Sequence, residues 1–142
     1  MSDNKIKILK RGIFQRLFGK CVTELPANND CWSYASGVIT VDLNQAKELD
    51  PVNGALRIES KELPNRVLVI YGEDNEYHAY RNHCEHAKRR LDPVPGTETI
   101  QCCSIGKSTY DYSGKILNND KLNNLTVYPV EFSDGKLTIK IG

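Results

Sequence analysis

Val67-Leu68-Val69-Ile70-Tyr71 constrains the fold of this chain more than any other stretch. It is an unbroken β-branched and aromatic run, too short for a buried helix, and so it reads as a strand. The cluster Gly72-Glu73-Asp74-Asn75 then turns the chain, and Tyr77 to Arg81 supplies the returning strand. Ala55 to Glu59 alternates ahead of this pair. Thr97 to Cys102 and Ser108 to Tyr112 read as a second hairpin with residues 103–107 at its tip. Val127 to Phe132 and Lys136 to Ile141 make a last hairpin across Ser133-Asp134-Gly135, in which Asp-Gly is a strong turn signal. Asp42 opens a short helix signal, with Gln45 in the capping-box position and Asp50-Pro51 as its stop. The stretch from Lys88 to Gly96, with Pro93, Val94, Pro95 and Gly96 together, reads as a loop without regular structure. The fold class these elements predict is all-β.

A chain of 142 residues favours a single domain that folds without staples. Lys and Arg total 19 against 18 Asp and Glu, so the net charge of +1 argues against nucleic acid as a partner. No apolar run approaches the about 20 residues needed to span a bilayer. The basic residues Lys5, Lys7, Lys10, Arg11, Arg16 and Lys20 face only Asp3 in the first twenty positions. Ile6, Leu9, Ile13, Phe14 and Leu17 could share one helical face there, but Lys10 and Gly12 interrupt it. Residues 5–20 could therefore touch an anionic membrane or a partner peripherally, or form a solvated tail. Arg16 breaks the apolar stretch and no small-residue cleavage site follows, so cytoplasmic residence is expected rather than secretion.

The chemistry is concentrated at two hairpin tips. Cys84-Glu85-His86 ends the first, and Cys102-Cys103 ends a strand of the second after 15 intervening residues. Five cysteines is an odd number, and three of them lie in these tips, so ligation fits better than a disulfide framework. Cys21 and Cys31, far from any histidine, read as small buried hydrophobes. A [2Fe-2S] cluster in which imidazoles replace two thiolates needs two loops of the form C-x-H and C-x-x-H. Here the chain resembles the Rieske ferredoxin family. Cys84-Glu85-His86 matches the first loop, Leu91 falls where that loop usually has leucine, and the resemblance runs from about Leu56 to Ile141.

The second loop departs from the family. With Cys102 as ligand, Ile105 occupies the histidine position; with Cys103 as ligand, Gly106 does. Neither side chain binds metal, so the standard set of two cysteines and two histidines is incomplete. Three outcomes stay open. Cys102 and Cys103 could both ligate beside Cys84 and His86, which is preferred and would lower the reduction potential. Water or His83 could fill the fourth position. Alternatively, the cluster is lost and the scaffold persists as an interaction or regulatory subunit. A mononuclear zinc site of three thiolates and one imidazole is a further reading, although adjacent cysteines fit one tetrahedral ion poorly.

The resemblance implies antiparallel Rieske-like sheets in which a small subdomain of two hairpin loops carries the ligands on a larger base built from both chain ends. Residues 1–30 are expected to form a basic extension and 31–142 the domain, with ligand loops at about 82–92 and 101–108. It further implies a small electron carrier between a reductase and an oxygenase or other acceptor, with a redox protein as partner. Cys84, His86, Cys102 and Cys103 would hold the cluster, and Ser108 and Tyr110 would tune it by hydrogen bonds to sulfur. Lys88, Arg89 and Arg90 could steer an acidic partner or simply be solvated. Gly106-Lys107-Ser108-Thr109 lacks the glycine that a phosphate loop needs five residues earlier, where Gln101 stands, so nucleotide binding is not expected. Trp32 and Tyr34 read as packing residues ahead of the first strand.

Overall fold

The computed structural model describes residues 21–84, 89–103, 108–118 and 121–142. The amphipathic reading of residues 5–20 therefore lies outside the described residues. The strands are β1 (Trp32–Ala35), β2 (Val38–Asp42), β3 (Ala55–Ile58), β4 (Val67–Tyr71), β5 (Tyr77–Arg81) and β6 (Leu91–Val94). They continue with β7 (Thr99–Cys102), β8 (Thr109–Asp111), β9 (Val127–Tyr128), β10 (Val130–Ser133) and β11 (Lys136–Lys140). All pair antiparallel, in three sheets of order β1-β2-β11-β10, β3-β4-β5-β9 and β6-β7-β8. The all-β expectation holds, and the first sheet is indeed a base assembled from both ends of the described chain.

The central apolar run explains how the sheets stack. Side chains alternate across a strand, and β4 buries both of its faces. Val67 and Val69 join Ile39, Val41, Leu56, Ile58, Leu137 and Ile139 in one core. Leu68 and Ile70 turn the other way, toward Tyr80, Leu91, Ile100 and Tyr110. The β3-β4-β5-β9 sheet is thus a middle layer between the base and the three-stranded sheet. Each fully buried Leu or Ile contributes about 1.5–3 kcal/mol of transfer free energy. A strand wet on one face would alternate; this one is continuous because both faces are dry.

Two hairpins close on turns with positive φ at both central residues, the geometry that matches strand twist. Asp134 and Gly135 (φ 53° and 73°) join β10 to β11 as the sequence predicts. Ser36 and Gly37 (φ 50° and 79°) join β1 to β2, a hairpin that places Trp32 and Tyr34 on a strand, packed against the base core.

Other expectations need correction. Leu91–Val94 is a strand rather than an irregular loop, with Pro93 opposite Ile100. β6 is an edge strand, so the missing proline N–H removes no ladder bond on its open side. The single strand expected over Val127 to Phe132 is broken at Pro129. Its first part pairs with β5 and its second with β11, so the chain changes sheets there. The helix signal at Asp42 gives only a capped turn followed by a 3-10 turn at Lys47–Leu49. Ahead of Asp50-Pro51 there is too little chain to nucleate an α-helix. Residues 21–24 lie against the body of the fold. The carboxylate of Asp92 accepts from the Val22 and Thr23 amides at 2.8 and 2.7 Å, and Glu24 O accepts from Arg57 N at 3.0 Å.

Candidate metal centre

β5 ends at Arg81, and the next residues, Asn82 and His83, carry the chain to Cys84. Cys102 is the last residue of β7, opposite Leu91 in register. The two hairpin ends converge: the Cys84 and Cys102 sulfurs stand 2.8 Å apart, both fully buried. That separation exceeds the about 2.05 Å of a disulfide, and no disulfide joins any of the five cysteines. Leu68, Ile70, Tyr80, Leu91, Ile100 and Tyr110 pack around the pair. Two thiols held together in an apolar shell, with no disulfide between them, form a soft donor pair that one metal ion can join.

The backbone of residues 89–91 braces both loops. Arg89 O accepts from Cys84 N at 2.8 Å and Arg90 O from Cys103 N at 2.9 Å. Ser108 O accepts from Cys102 N at 2.8 Å. The buried Asn82 side chain completes the brace, its Oδ1 accepting from Leu91 N at 2.7 Å. Arg90 is anchored in turn by a two-pronged pair with Glu59, at 2.5 and 2.8 Å. Burial works to raise the Glu59 carboxyl, but hydrogen bonds from Arg90 and Arg57 outweigh it and hold the group below the usual carboxylate range.

The sequence-predicted residues divide into three groups. Cys84 and Cys102 meet. His86, with Ile105 and Gly106, lies outside the described residues. Cys103 has its thiol against a different neighbour from Cys102. Successive side chains on an extended strand point to opposite faces, and the Cys103 thiol faces Asp92 Oδ2 at 3.6 Å. Cys21 stands beside it, not as an isolated hydrophobe: a hydrogen bond from Cys103 brings its pKa down to about 7, against burial and the Asp92 charge, with help from Arg57 and Arg90. Strand alternation could have signalled that Cys103 needs a partner other than Cys102's; nothing in the sequence names Cys21 and Asp92 as that partner.

Tyr110 is fully buried in the same apolar cluster as Cys84 and Cys102, and Ser108 is buried beside the second loop. His83 lines an open cleft with Glu59, Leu63, Pro64 and Arg66. His78 is bonded to Asp74 at 2.8 Å and packs on the Tyr112 ring.

The donor chemistry fits half of a two-iron site fully: the buried thiol pair can hold one iron. Among the described residues the buried Asn82 Nδ2, two positions before Cys84, has no hydrogen-bond partner. The imidazole half has His86 by sequence and no histidine after Cys103.

A family model described as the Rieske [2Fe-2S] domain matches residues 40–129. The fold is shared with the ferredoxin of carbazole 1,9a-dioxygenase from Nocardioides aromaticivorans IC177, at 17% identity and a TM-score of 0.57, covering 72% of this chain and 95% of that one. It is also shared with the plasma membrane Rieske protein PetC3 from Synechocystis PCC 6803, at 18% identity and a TM-score of 0.50, covering 61% and 86%. The apo quaternary ammonium Rieske monooxygenase CntA gives 19% identity and a TM-score of 0.52 over 68% of this chain, which spans only 31% of that enzyme's length. No curated protein sequence matches this chain significantly. No helix of the described residues is long and apolar enough to cross a membrane.

Proposed function

The chain belongs to the Rieske [2Fe-2S] domain family, and from that premise we propose that it is a small carrier of single electrons between redox proteins, with incomplete histidine ligation. The family binds a [2Fe-2S] cluster, which when bound takes up and releases one electron at a time. The observation that carries this reading is the 2.8 Å approach of two buried thiols from two separate loops.

In this reading Cys84 and Cys102 hold one iron and His86 the other. Cys103 is occupied with Asp92 and Cys21, so solvent takes the position that a second histidine would fill. The apolar side chains around the thiols keep water from the sulfur end. Tyr110 and Ser108 tune the centre from the second loop. Arg89 and Lys88 favour an acidic partner surface through charge. An oxygenase or reductase partner is supported by the ferredoxin of a dioxygenase sharing this fold over nearly its whole length. A cytoplasmic site is supported by the lack of any disulfide among the five cysteines, since oxidising compartments favour disulfides.

The missing histidine favours one other reading, a cluster-free interaction module. Anaerobic reconstitution with iron and sulfide separates the two. The carrier gains visible absorption with iron and acid-labile sulfide in about equal amounts, loses both on Cys84→Ser or Cys102→Ser, and keeps them on Cys103→Ser. A chain that stays colourless is the module, and one that takes up zinc at these cysteines, indifferent to dithionite, is a structural metal protein. Loss of the cluster on Cys103→Ser would return Cys103 to the ligand set.

A further inference from the structure

On the face of the ligand-bearing sheet opposite Cys102 and Leu91, three donors from three distant parts of the chain meet. Cys21 comes from the segment ahead of β1, Asp92 from the middle of β6, and Cys103 from the turn after β7. Their ligand atoms, two sulfurs and one carboxylate oxygen, all lie within 4.8 Å of one another. Cys103 is fully buried, Asp92 is 1% exposed and Cys21 is half-buried.

We propose that Cys21, Asp92 and Cys103 form a second metal site, separate from the Cys84 and Cys102 pair, that takes Zn²⁺. The donor set suits a borderline-soft divalent ion: two thiolates and a carboxylate are standard zinc ligands, and a tetrahedral site needs only one more. The distances are already close to those of a loaded site. A zinc tetrahedron with bonds of about 2.3 Å to sulfur and 2.0 Å to oxygen places those atoms about 3.5 Å apart, and the Cys103 sulfur lies 3.6 Å from Asp92 Oδ2.

Asp92 is oriented before any ion arrives. The Val22 and Thr23 amides hold its two oxygens at 2.8 and 2.7 Å, and a carboxylate so bonded still has lone pairs for a metal. Charge also balances, since the three anionic donors offset the ion and Arg57 and Arg90 stand near Cys21. Binding releases the two thiol protons to solvent and changes no oxidation state. A water molecule would complete the tetrahedron beside the half-buried Cys21. The ion would tie residues 21–23 and β6 to the turn that immediately follows Cys102, bracing the second loop from behind.

Co²⁺ is the probe, because its visible absorption reports tetrahedral thiolate coordination, with Zn²⁺ added to displace it. The full chain carries Cys84→Ser and Cys102→Ser, so that the other thiol pair cannot answer. A single equivalent of Co²⁺ should bind to the reduced protein with strong visible bands. Adding Cys21→Ser or Asp92→Asn should weaken binding by more than about 100-fold, beyond the loss usual for a group outside the coordination shell.

The wild-type chain gives a second reading that does not depend on how the double variant folds. Zinc should remain after dialysis at one ion per chain, and Cys21→Ser should remove that ion while leaving any iron in place. Co²⁺ binding that survives both substitutions, the lack of a tetrahedral signal, or a Cys21–Cys103 disulfide in place of metal uptake would overturn the proposal. Neither measurement relies on Cys84 or Cys102, so its failure leaves the electron-carrier reading standing, and the reverse also holds.

Discussion

Asn82→Ala tests whether the brace between the two ligand loops is structural. The Asn82 side chain is fully buried and accepts from the Leu91 amide at 2.7 Å, where Leu91 is itself buried and opposite Cys102. Truncation leaves that N–H without a partner in a dry site, which costs about 1–3 kcal/mol. The loss of side-chain volume adds to this, and removal of the unpartnered Asn82 Nδ2 subtracts from it. The net is about 2 kcal/mol. For 142 residues the unfolding entropy near 60 °C is about 0.3 kcal/mol/K, so the melting temperature should fall by about 7 °C. Calorimetry measures the fall, and hydrogen exchange should show the Leu91 amide opening faster than the rest of β6. If the cluster forms, it should also bleach faster in air. A variant melting within about 2 °C of wild type, or a Leu91 amide as protected as before, would refute the brace.

Three further outcomes follow from the same geometry. Glu59 titrates below its ordinary range in the folded state, so its stabilisation is present above the unfolded value of about 4.3 and is lost as pH falls through the folded one. Wild type should therefore exceed Glu59→Gln by about 1 kcal/mol or less at pH 7 after solvent screening, and the gap should narrow in denaturant titrations as the pH is taken below the unfolded value. Gly114 has φ 87°, and a Cβ there would lie 2.6 Å from Leu125 O, so Gly114→Ala should cost more than about 1 kcal/mol by chemical denaturation. Tyr110→Phe should leave iron content unchanged and shift the reduction potential of the loaded protein; an unmoved potential would remove Tyr110 from the tuning role.

How much of this was legible in the sequence varies element by element. β4 lies where its residue types place it, because a short β-branched and aromatic run reads as a strand, and β5 follows as its partner across the Gly72–Asn75 turn. The convergence of Cys84 and Cys102 follows from two hairpins whose tips each end in a cysteine. β6 escaped notice because Pro93 argues against a strand unless the open side of an edge is known beforehand. The break at Pro129 was hidden by an apolar pattern that runs through it while the partner strand changes. The Ser36-Gly37 turn is a weaker signal than Asp134-Gly135, so one hairpin was visible and the other was not. The meeting of Cys21, Asp92 and Cys103 could not be read, because Val22 and Asp92 are 70 residues apart and only the folded sheets bring them together.

β4 belongs to two interiors at once, its odd residues to the base and its even residues to the ligand-bearing side. A party wall of this kind couples the two interiors. Parting the hairpins that carry Cys84 and Cys102 from the base would bare Leu68 and Ile70 on the even face of β4. Changes at Val67 or Val69, out of sight of either thiol, should therefore be felt on the far side of the same strand, so the centre inherits its rigidity from residues that never touch it.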